Sequence, residues 1–358
     1  MFDVLIAGGG PAGLAAATAL AQRGVSVAVV DPAGGLAAPR AELLAQGAEP
    51  IVHRLGLEHA LARAVKIDAV ESHWGAAGLQ SHGAHPGLGL HGWGINRKHF
   101  SIAMVHRVCD LGVRIIEARI TNAQKAARGW LVKTGTGSDT ATLHARYVID
   151  ATGRPAHIAR RQSATVLHGP DLVAVLWRTP RPKTNVMQAE AVAEGWWYSV
   201  PLQAGGTVAF VTSSGTAKQV SGSPSAFLAR ARDTLNLIDV RHATGPTRLM
   251  DCRSAVLDQA SGSGWHATGD AAAAFDPISS QGLFNALSGG FFAGHAAADA
   301  LAGDKEAPKV FEALASRTAE RTHSTTHLQY AALPFDTAFW QHRARGGLDK
   351  LANTAVPA

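Results

Sequence analysis

Cysteine is scarce in this sequence of 358 residues, which contains only Cys109 and Cys252. The two lie far apart in the chain, so they form no C-x-x-C redox pair and a disulfide framework is not expected. A chain with so few thiols fits a reducing compartment, and we expect a cytoplasmic protein.

Long apolar runs and clusters of basic residues are also missing. The glycine-rich segment 8–13 interrupts the apolar stretch near the N-terminus, which argues against a membrane span. A strand pattern that begins at residue 2 leaves no room for a signal peptide. The net charge of +6 comes from scattered residues with no basic run beyond Arg160-Arg161, so we expect no nucleic-acid partner.

The sequence does contain a glycine-rich turn between two apolar runs at its N-terminus. Residues 2–7 are typical of a buried strand, residues 14–23 of a helix, and a second apolar run, residues 25–30, ends at Asp31. The glycines let the backbone approach a pyrophosphate, which the first turn of the helix offers unpaired N–H groups. Asp31 is placed to accept a hydrogen bond from a ribose hydroxyl. We therefore expect the following residues to bind a dinucleotide: Gly8, Gly10, Pro11, Ala12, Gly13 and Asp31.

Later segments return to the same domain. Residues 97–111 have helical periodicity, residues 143–151 form a strand that runs into a second glycine turn, and a buried helix spans about 282–301. Residues 165–250 instead contain short apolar runs separated by Gly, Pro and Ser, which is typical of antiparallel sheet.

These patterns predict an α/β protein built on a doubly wound, Rossmann-like domain. That domain is discontinuous and comprises residues 1–70, 93–160 and 251–305. A β-rich substrate domain, residues 71–92 and 161–250, is inserted into it. Residues 306–358 form a helical C-terminal segment.

The order of three motifs resembles the flavoprotein monooxygenase and flavin-dependent halogenase superfamily. The first glycine turn is followed by Asp-Ala-Thr-Gly-Arg at 150–154 and by G-D-A-A-x-x-x-D-P-x-x-x-x-G at 269–282. The resemblance spans nearly the whole chain and implies the FAD-binding fold of para-hydroxybenzoate hydroxylase, with FAD as the cofactor. It implies that Asp270 holds a ribityl hydroxyl and that Arg40 and Arg97 lie beside the cofactor phosphates. The further cofactor-binding residues that it implies are Ile120, Thr152, Gly153 and Gly269. Residues 40–47 are similar to the loop-to-helix segment of aromatic hydroxylases, which predicts a loop that leads into a helix.

The start of the later helix supports the same interpretation on physical grounds. Pro277 blocks backward extension of the helix, so the N–H groups of its first residues are unpaired. A helix N-terminus favours negative charge, which a reduced flavin carries. We expect the backbones of Gln281, Gly282 and Leu283 to stabilise it.

Departures from the family narrow the expected reaction. Residues 196–201 of this chain are Trp-Trp-Tyr-Ser-Val-Pro, where halogenases have the signature Trp-x-Trp-x-Ile-Pro. Ser279 stands where halogenases have a glutamate. Neither Lys66 nor Lys98 lies in the context of their catalytic lysine, so the sequence argues against halogenation. The mid-chain Asp-Gly motif of single-component hydroxylases is also missing. The flavin could therefore be reduced by NAD(P)H directly or by a flavin reductase.

The segment from Arg40 to Leu44, the Trp-Trp-Tyr run and Asp-Pro-Ile-Ser-Ser-Gln-Gly are most similar to flavoprotein maturases. These proteins oxygenate a peptidyl tryptophan of tryptophylquinone enzymes. The sequence thus predicts an FAD-dependent monooxygenase that hydroxylates an aromatic small molecule or a residue of a partner protein. Two alternatives stay open: a flavin dehydrogenase or reductase of an apolar substrate, and a non-catalytic flavin-binding maturation partner.

The candidate catalytic side chains are His91 and Tyr198. His91 lies in a Gly- and His-rich segment that leads to Arg97, and an imidazole is suited to deprotonating an aromatic substrate. We expect Trp197 and Tyr198 to face the flavin, where they can stack on an aromatic ring. Segments 71–92 and 213–224, interpreted as loops, favour a wide site for a large substrate. The histidine spacings fit no standard zinc pattern, and no metal is expected.

Overall fold

The computed structural model describes residues 1–74, 78–83, 92–136, 139–221, 226, 229–230, 238–240, 242–333 and 335–345. Its strands are β1 Phe2–Ala7, β2 Val27–Val30, β3 Ala41–Ala45, β4 Val65–Lys66, β5 Ala69–His73, β6 Leu79–Gly83, β7 Gly92–Asn96, β8 Arg114–Ile116, β9 Arg119–Ala126, β10 Gly129–Thr136, β11 Asp139–Asp150, β12 Val166–His168, β13 Val173–Thr179, β14 Val186–Val192, β15 Gly195–Leu202, β16 Gly205–Thr212, β17 Thr244–Asp251, β18 Ala255–Leu257, β19 Ser261–Gly262, β20 Trp265–Ala267 and β21 Ala273–Ala274. Its helices are α1 Pro11–Gln22, α2 Glu49–Leu55, α3 Glu58–Leu61, α4 Arg97–Asp110, α5 His157–Arg161, α6 Ser214–Ser221, α7 Gly282–Leu301, α8 Ala307–Ala331 and α9 Ala338–Ala344.

The first sheet contains the predicted parallel core. Its order is β19-β20-β11-β1-β2-β8, with β20, β11, β1, β2 and β8 all parallel. Because both faces of β1 are covered, its apolar run is continuous: Val4 and Ile6 pack beneath the helical layer, and Leu5 and Ala7 pack on the other face. The antiparallel β9–β10 hairpin extends from the first half of β11. The predicted α/β fold class is confirmed.

Helix α7 crosses α1 at a contact made by small residues. A Cβ on Gly290 would lie 2.1 Å from the carbonyl oxygen of Ala12, and one on Gly294 would lie 2.6 Å from that of Ala16. The two backbones therefore touch directly, which only glycine allows at these positions. This contact places the first turn of α7 close to the turn between β1 and α1.

The second large sheet has the order β17-β13-β16-β15-β14-β5-β6, and only β14 and β5 pair in parallel. Helix α6 covers one face, and the C-terminal helices α8 and α9 pack on the other. Trp340 of α9 is fully buried there and donates from Nε1 to the carbonyl oxygen of Val192 at 2.9 Å. These strands fall within the segments expected to form the inserted domain, while its boundaries stay a prediction.

Two local expectations are wrong. The segment that begins at Arg40 was expected to lead from a loop into a helix, but it forms β3, which pairs with β7 in the small sheet β3-β7-β4. The two stretches expected to be loops contain regular structure: residues 213–224 contain α6 between Ser214 and Ser221, and the described part of 71–92 contains the end of β5 and all of β6. Within the described ranges, no helix has both the length and the apolar character needed to cross a membrane.

Candidate active site

The turn between β1 and α1 is packed too tightly to admit side chains. Gly8 has a φ of 105°, and a Cβ there would lie 2.2 Å from the carbonyl oxygen of Ala151. A Cβ on Gly13 would lie 2.0 Å from the carbonyl oxygen of Gly8, whereas Gly10 faces open space. Gly10 begins α1 without a side-chain cap, and Pro11 follows it. The first N–H groups of α1 therefore have room for the anionic group that this geometry favours.

Asp31 lies beside this turn at the end of β2. Its carboxylate accepts hydrogen bonds from the backbone N–H groups of Gly9 at 2.8 Å, Ala33 at 2.8 Å and Gly35 at 3.1 Å. A cavity of ≈ 200 Å³ opens next to it. Asp31 thus joins two turns at the edge of this cavity, and its bond to a ribose hydroxyl stays a prediction.

Arg40 and Arg97 flank Glu42, whose role the sequence did not indicate. Arg40 donates from Nε to Glu42 Oε1 at 2.6 Å, and Nη1 of Arg97 lies 3.6 Å from Glu42 Oε2. Burial opposes ionisation of Glu42, yet the charges of Arg97 and Arg40 hold the pKa of this carboxyl below its usual range. Arg97 is 7% exposed, and its Nε has no hydrogen-bond partner among the described residues. The trio therefore presents an excess positive charge.

The segment between β20 and α7 supplies a carboxylate and an open helix terminus. Asp270 is exposed to the cavity, and desolvation by the surrounding protein raises the pKa of its carboxyl. Helix α7 begins at Gly282, and the Gln281 side chain does not cap it. Both Gly282 and Leu283 line the same cavity as Asp270. This arrangement agrees with the roles expected for Asp270, Gly282 and Leu283, whereas Gln281 lines a different cavity, and all four roles stay predictions.

A cavity of ≈ 310 Å³, called the main cavity here, lies between these elements and the second large sheet. Strand β15 lends it every second side chain, so Trp196 and Tyr198 face the cavity. Trp197 was expected to face the flavin, and this is wrong: it is fully buried on the opposite face and stacks on Phe210 at 4.4 Å. The apolar part of the wall is formed by Ala174, Leu176, Met187, Trp196, Val200 and Met250.

Asp276 and Tyr330 form a pair that sequence reasoning missed. The Tyr330 hydroxyl donates to Asp276 Oδ2 at 3.0 Å, and the N–H of Ile278 donates to Oδ1 at 3.0 Å. Desolvation raises the pKa of the Asp276 carboxyl to about 6, although these hydrogen bonds oppose the shift. Asp276 lines the main cavity. The only sequence signal was its position before Pro277 in the later motif.

Other groups at the main cavity hold their protons firmly. Burial raises the pKa of Tyr198 well above its usual value, so its phenol stays neutral at physiological pH. Burial also raises the pKa of the Cys252 thiol to about 12, which keeps it protonated and unreactive. Asp276, with a pKa of about 6, differs from these two groups because it can lose its proton near neutral pH.

The remaining predicted residues lie in different surroundings. Thr152 donates from Oγ1 to Asp150 Oδ1 at 2.7 Å, and Gly153, with a φ of 74°, lines the main cavity. Ile120, a residue of β9, packs at the edge of an apolar cluster and lines none of the cavities described here. His91 lies outside the described residues. Within the described ranges, no group of three His, Cys, Asp or Glu side chains is arranged to hold a metal.

The residues present fit a flavin dinucleotide. The glycine turn leaves space at the uncapped start of α1, and the Nε of buried Arg97 is unpaired within the described ranges. Two cavities adjoin at Gly10 and Arg97, one beside Asp31 and one beside Asp270. The fold and this site define a dinucleotide-binding α/β protein of the flavoprotein class.

The chain belongs to the tryptophan halogenase family, which matches residues 45–355. Residues 6–62 match the NAD(P)-binding Rossmann-like domain. A further relative is the chloroplastic lycopene beta cyclase of Arabidopsis thaliana, 28% identical over 153 residues. That match covers 42% of this chain and 27% of the cyclase, so the chain spans about a quarter of this relative.

Solved structures share the fold over nearly the full chain. The myxobacterial chondrochloren halogenase CndH, a variant of FAD-dependent halogenases, has a TM-score of 0.84 at 22% identity, covering 98% of this chain and 88% of that one. The peptidyl tryptophan dihydroxylase QhpG, essential for tryptophylquinone cofactor biogenesis, has a TM-score of 0.74 at 21% identity, covering 96% and 78%. Together with the family match, these findings support the predicted flavoenzyme class and FAD as its cofactor.

Proposed function

We propose that this protein is an FAD-dependent monooxygenase that hydroxylates an aromatic substrate. The observation that carries the proposal is the main cavity, which has flavin-binding elements on one side and the rings of Trp196 and Tyr198 on the other. The two rings lie 5.5 Å apart, and Met187 and Leu176 extend the apolar wall beside them. Such a wall favours a flat apolar ring next to the cofactor.

The cofactor would be held by residues from three parts of the chain. The N–H groups at the start of α1 would bind the pyrophosphate, Arg40 and Arg97 would add positive charge, and Asp270 would accept from a ribityl hydroxyl. The uncapped first turn of α7 would favour negative charge on the flavin ring. When bound and reduced, FAD supplies the activation of molecular oxygen.

The protein's own part in the reaction is positioning and proton control. When an aromatic carbon gains a hydroxyl group, its hydrogen must leave as a proton to restore the ring. The Asp276 carboxylate faces the main cavity and has a pKa of about 6, so it is ionised and able to accept that proton at neutral pH. The Tyr330 hydroxyl donates to the same carboxylate and fixes its orientation.

Halogenation is the second candidate, because the family match favours it. The described lining of the main cavity includes no lysine, and both Lys66 and Lys98 are exposed side chains away from it. Ser279 occupies the place where halogenases have a glutamate. These three features favour hydroxylation over halogenation.

The finer proposal is that the aromatic ring belongs to a tryptophan of a partner protein. It is supported by the likeness to a peptidyl tryptophan dihydroxylase and by the Asp-Pro-Ile-Ser-Ser-Gln-Gly segment, which forms the turn before α7. The helix found at 214–221 removes one of the two loops expected to accommodate a large substrate. In the other segment, 71–92, the described residues lie largely in β5 and β6, so they do not support the expected loop, and the finer proposal rests on the likeness and on the turn before α7.

The test is product analysis with flavin-loaded protein that is reduced, mixed with oxygen and supplied with chloride and bromide. Tryptophan-containing peptides, free tryptophan and simple phenols are compared by mass spectrometry. Incorporation of labelled oxygen from O₂ supports the proposal, and preference for peptides supports the finer one. Incorporation of halogen favours the second candidate, whereas loss of two hydrogens without oxygen would indicate a dehydrogenase. If reduced protein leaves every aromatic compound unchanged, the proposal is wrong.

A matched pair of variants separates the site from the core. Trp196→Phe removes part of the aromatic surface that lines the main cavity and should lower the affinity for an aromatic substrate. Trp197→Phe changes a side chain on the opposite face of the same strand and should affect that affinity less. Equal effects of both changes on substrate affinity would contradict the assignment of the wall.

A further inference from the structure

A second cavity lies between α7 and α8, on the far side of the turn that carries Asp270. Its volume is ≈ 610 Å³, within the range of small-molecule sites. It adjoins the main cavity, since Thr268, Asp270 and Gly282 line both. Gly269, Asp270, Gln281 and Gly282, which were expected to bind the flavin, form the end of the cleft next to the main cavity, whereas its lining from α8 has no part in the site described above.

Two polar groups in the lining of the cleft lack partners within the described ranges. They are Oγ1 of Thr268, a residue that is 1% exposed, and Nδ2 of Asn285. The Thr268 oxygen would lie 3.5 Å from a Cβ on Gly289, which also lines the cleft, so the hydroxyl points toward α7 on this side. Asn285 lines this cleft and not the main cavity. Buried polar atoms without partners are costly and favour a polar ligand at this position.

The cleft changes character along its length. Helices α7 and α8 run antiparallel, because Tyr330 near the end of α8 bonds Asp276 just before α7, while Phe311 near the start of α8 packs with Ala293 and Ala296 in the second half of α7. The end beside the start of α8 is apolar and includes Phe292 and Leu314, both more than 40% exposed. Such large exposed apolar side chains around a concavity favour an apolar ligand.

Arg321 supplies a positive charge midway along α8. It lines the cleft, and no described acidic side chain lies within ion-pair distance of it. Among the described lining residues, the carboxylate is that of Asp270, which lies at the end that the cleft shares with the main cavity. Leu314 precedes Arg321 by two helical turns, which corresponds to roughly 10 Å along the axis. That length matches a hydrocarbon chain of about eight carbons.

We propose that the cleft between α7 and α8 is a second binding site, which takes an amphipathic carboxylate of about this length. The carboxylate pairs with Arg321, and the hydrocarbon or aryl portion lies against Phe292, Phe311 and Leu314. Thr268 and Asn285 contact polar atoms of the ligand or of the water that accompanies it. The ligand lies outside the aromatic wall of the main cavity, although the two cavities share Thr268, Asp270 and Gly282.

The test is isothermal titration calorimetry with octanoate and with its neutral analogue octanamide. The protein is oxidised and FAD-loaded, and no reductant is added, so that no turnover takes place. Wild-type protein should bind octanoate with a Kd below about 1 mM. Arg321→Gln should weaken octanoate binding about tenfold and leave octanamide unchanged, because one charge-assisted hydrogen bond is lost. The matched control is Arg317→Gln, an exposed arginine on α8 that does not line the cleft. It should change neither affinity.

A second variant locates the ligand. Ala315→Phe fills the apolar part of the cleft and should abolish binding of both probes, while FAD remains bound. No octanoate binding to wild-type protein would overturn the proposal. So would equal effects of Arg321→Gln and Arg317→Gln, or unchanged binding in Ala315→Phe protein that retains FAD. Because these titrations involve no oxygenation, their failure is distinguishable from failure of the proposed monooxygenase activity.

Discussion

The contact between α1 and α7 makes Gly290→Ala a sharp test of how the flavin site is held together. The new methyl carbon would lie 2.1 Å from the carbonyl oxygen of Ala12 and 2.8 Å from its carbon. These are backbone atoms, so the strain can be relieved only if one helix moves. Overpacking of this kind costs about 1–3 kcal/mol, against which replacing glycine by alanine in a helix gains at most about 1 kcal/mol. Since Ala12 lies in the first turn of α1, the shift displaces the N–H groups that we expect to bind the cofactor.

The neighbouring glycine provides the control. A Cβ on Gly289 would meet nothing closer than Thr268 Oγ1 at 3.5 Å, which is ordinary van der Waals contact. Gly289→Ala should therefore keep wild-type stability or gain up to about 1 kcal/mol. We expect Gly290→Ala to be less stable than this control in urea unfolding and to bind FAD at least tenfold more weakly in a fluorescence titration. If the two variants have the same stability and FAD affinity, the argument that the helix contact positions the cofactor is refuted.

Three further predictions concern ionisable groups. His266 is fully buried, and desolvation lowers its pKa from 6.5 to about 3, so between pH 6.5 and pH 3 only the unfolded chain binds a proton at this residue. The free energy of unfolding should therefore fall by roughly 2 kcal/mol from pH 6.5 to pH 5. His266→Gln should reduce this pH dependence in urea unfolding. Desolvation raises the pKa of Asp276 to about 6, so the rate of a hydroxylation that uses its carboxylate should increase as the pH rises through 6. Asp276→Asn should abolish this increase in a pH profile of product formation. Arg97→Met should weaken FAD binding about tenfold or more in fluorescence titrations, while Lys98→Met, which changes an exposed neighbour, should not.

The sequence predicted most successfully those parts of the fold that are determined locally. Helix α7 begins and ends where its apolar pattern indicated, because Pro277 and the glycine turn fix its start within a few residues. Residues 40–47 were expected to lead from a loop into a helix because they resemble such a segment of aromatic hydroxylases, yet residues 41–45 form a strand. They pair with residues 92–96 as the strand β3, and no pattern within the segment reveals that distant partner.

The orientation of β15 illustrates the same limit. Alternation along a strand establishes that Trp196 and Trp197 point to opposite faces, but the phase depends on which layer covers each face. Here α6 and Phe210 cover the face of Trp197, and the main cavity lies on the opposite face. The pair of Asp276 and Tyr330 was equally hidden, since it joins the motif before α7 to the end of α8.

The position of Tyr330 changes the part that the C-terminal helices play in the site. The sequence predicted residues 306–358 only as a helical segment, yet Tyr330 bonds the carboxylate that faces the main cavity, and its ring lies 5.5 Å from Trp340. Trp340 is held by the carbonyl oxygen of Val192, which belongs to the sheet that forms the aromatic wall. Helices α8 and α9 therefore connect the proton-accepting group of the proposed reaction to the wall that would hold the substrate. Since the cofactor-binding elements lie elsewhere in the chain, changes in these two helices can alter the substrate without altering FAD binding.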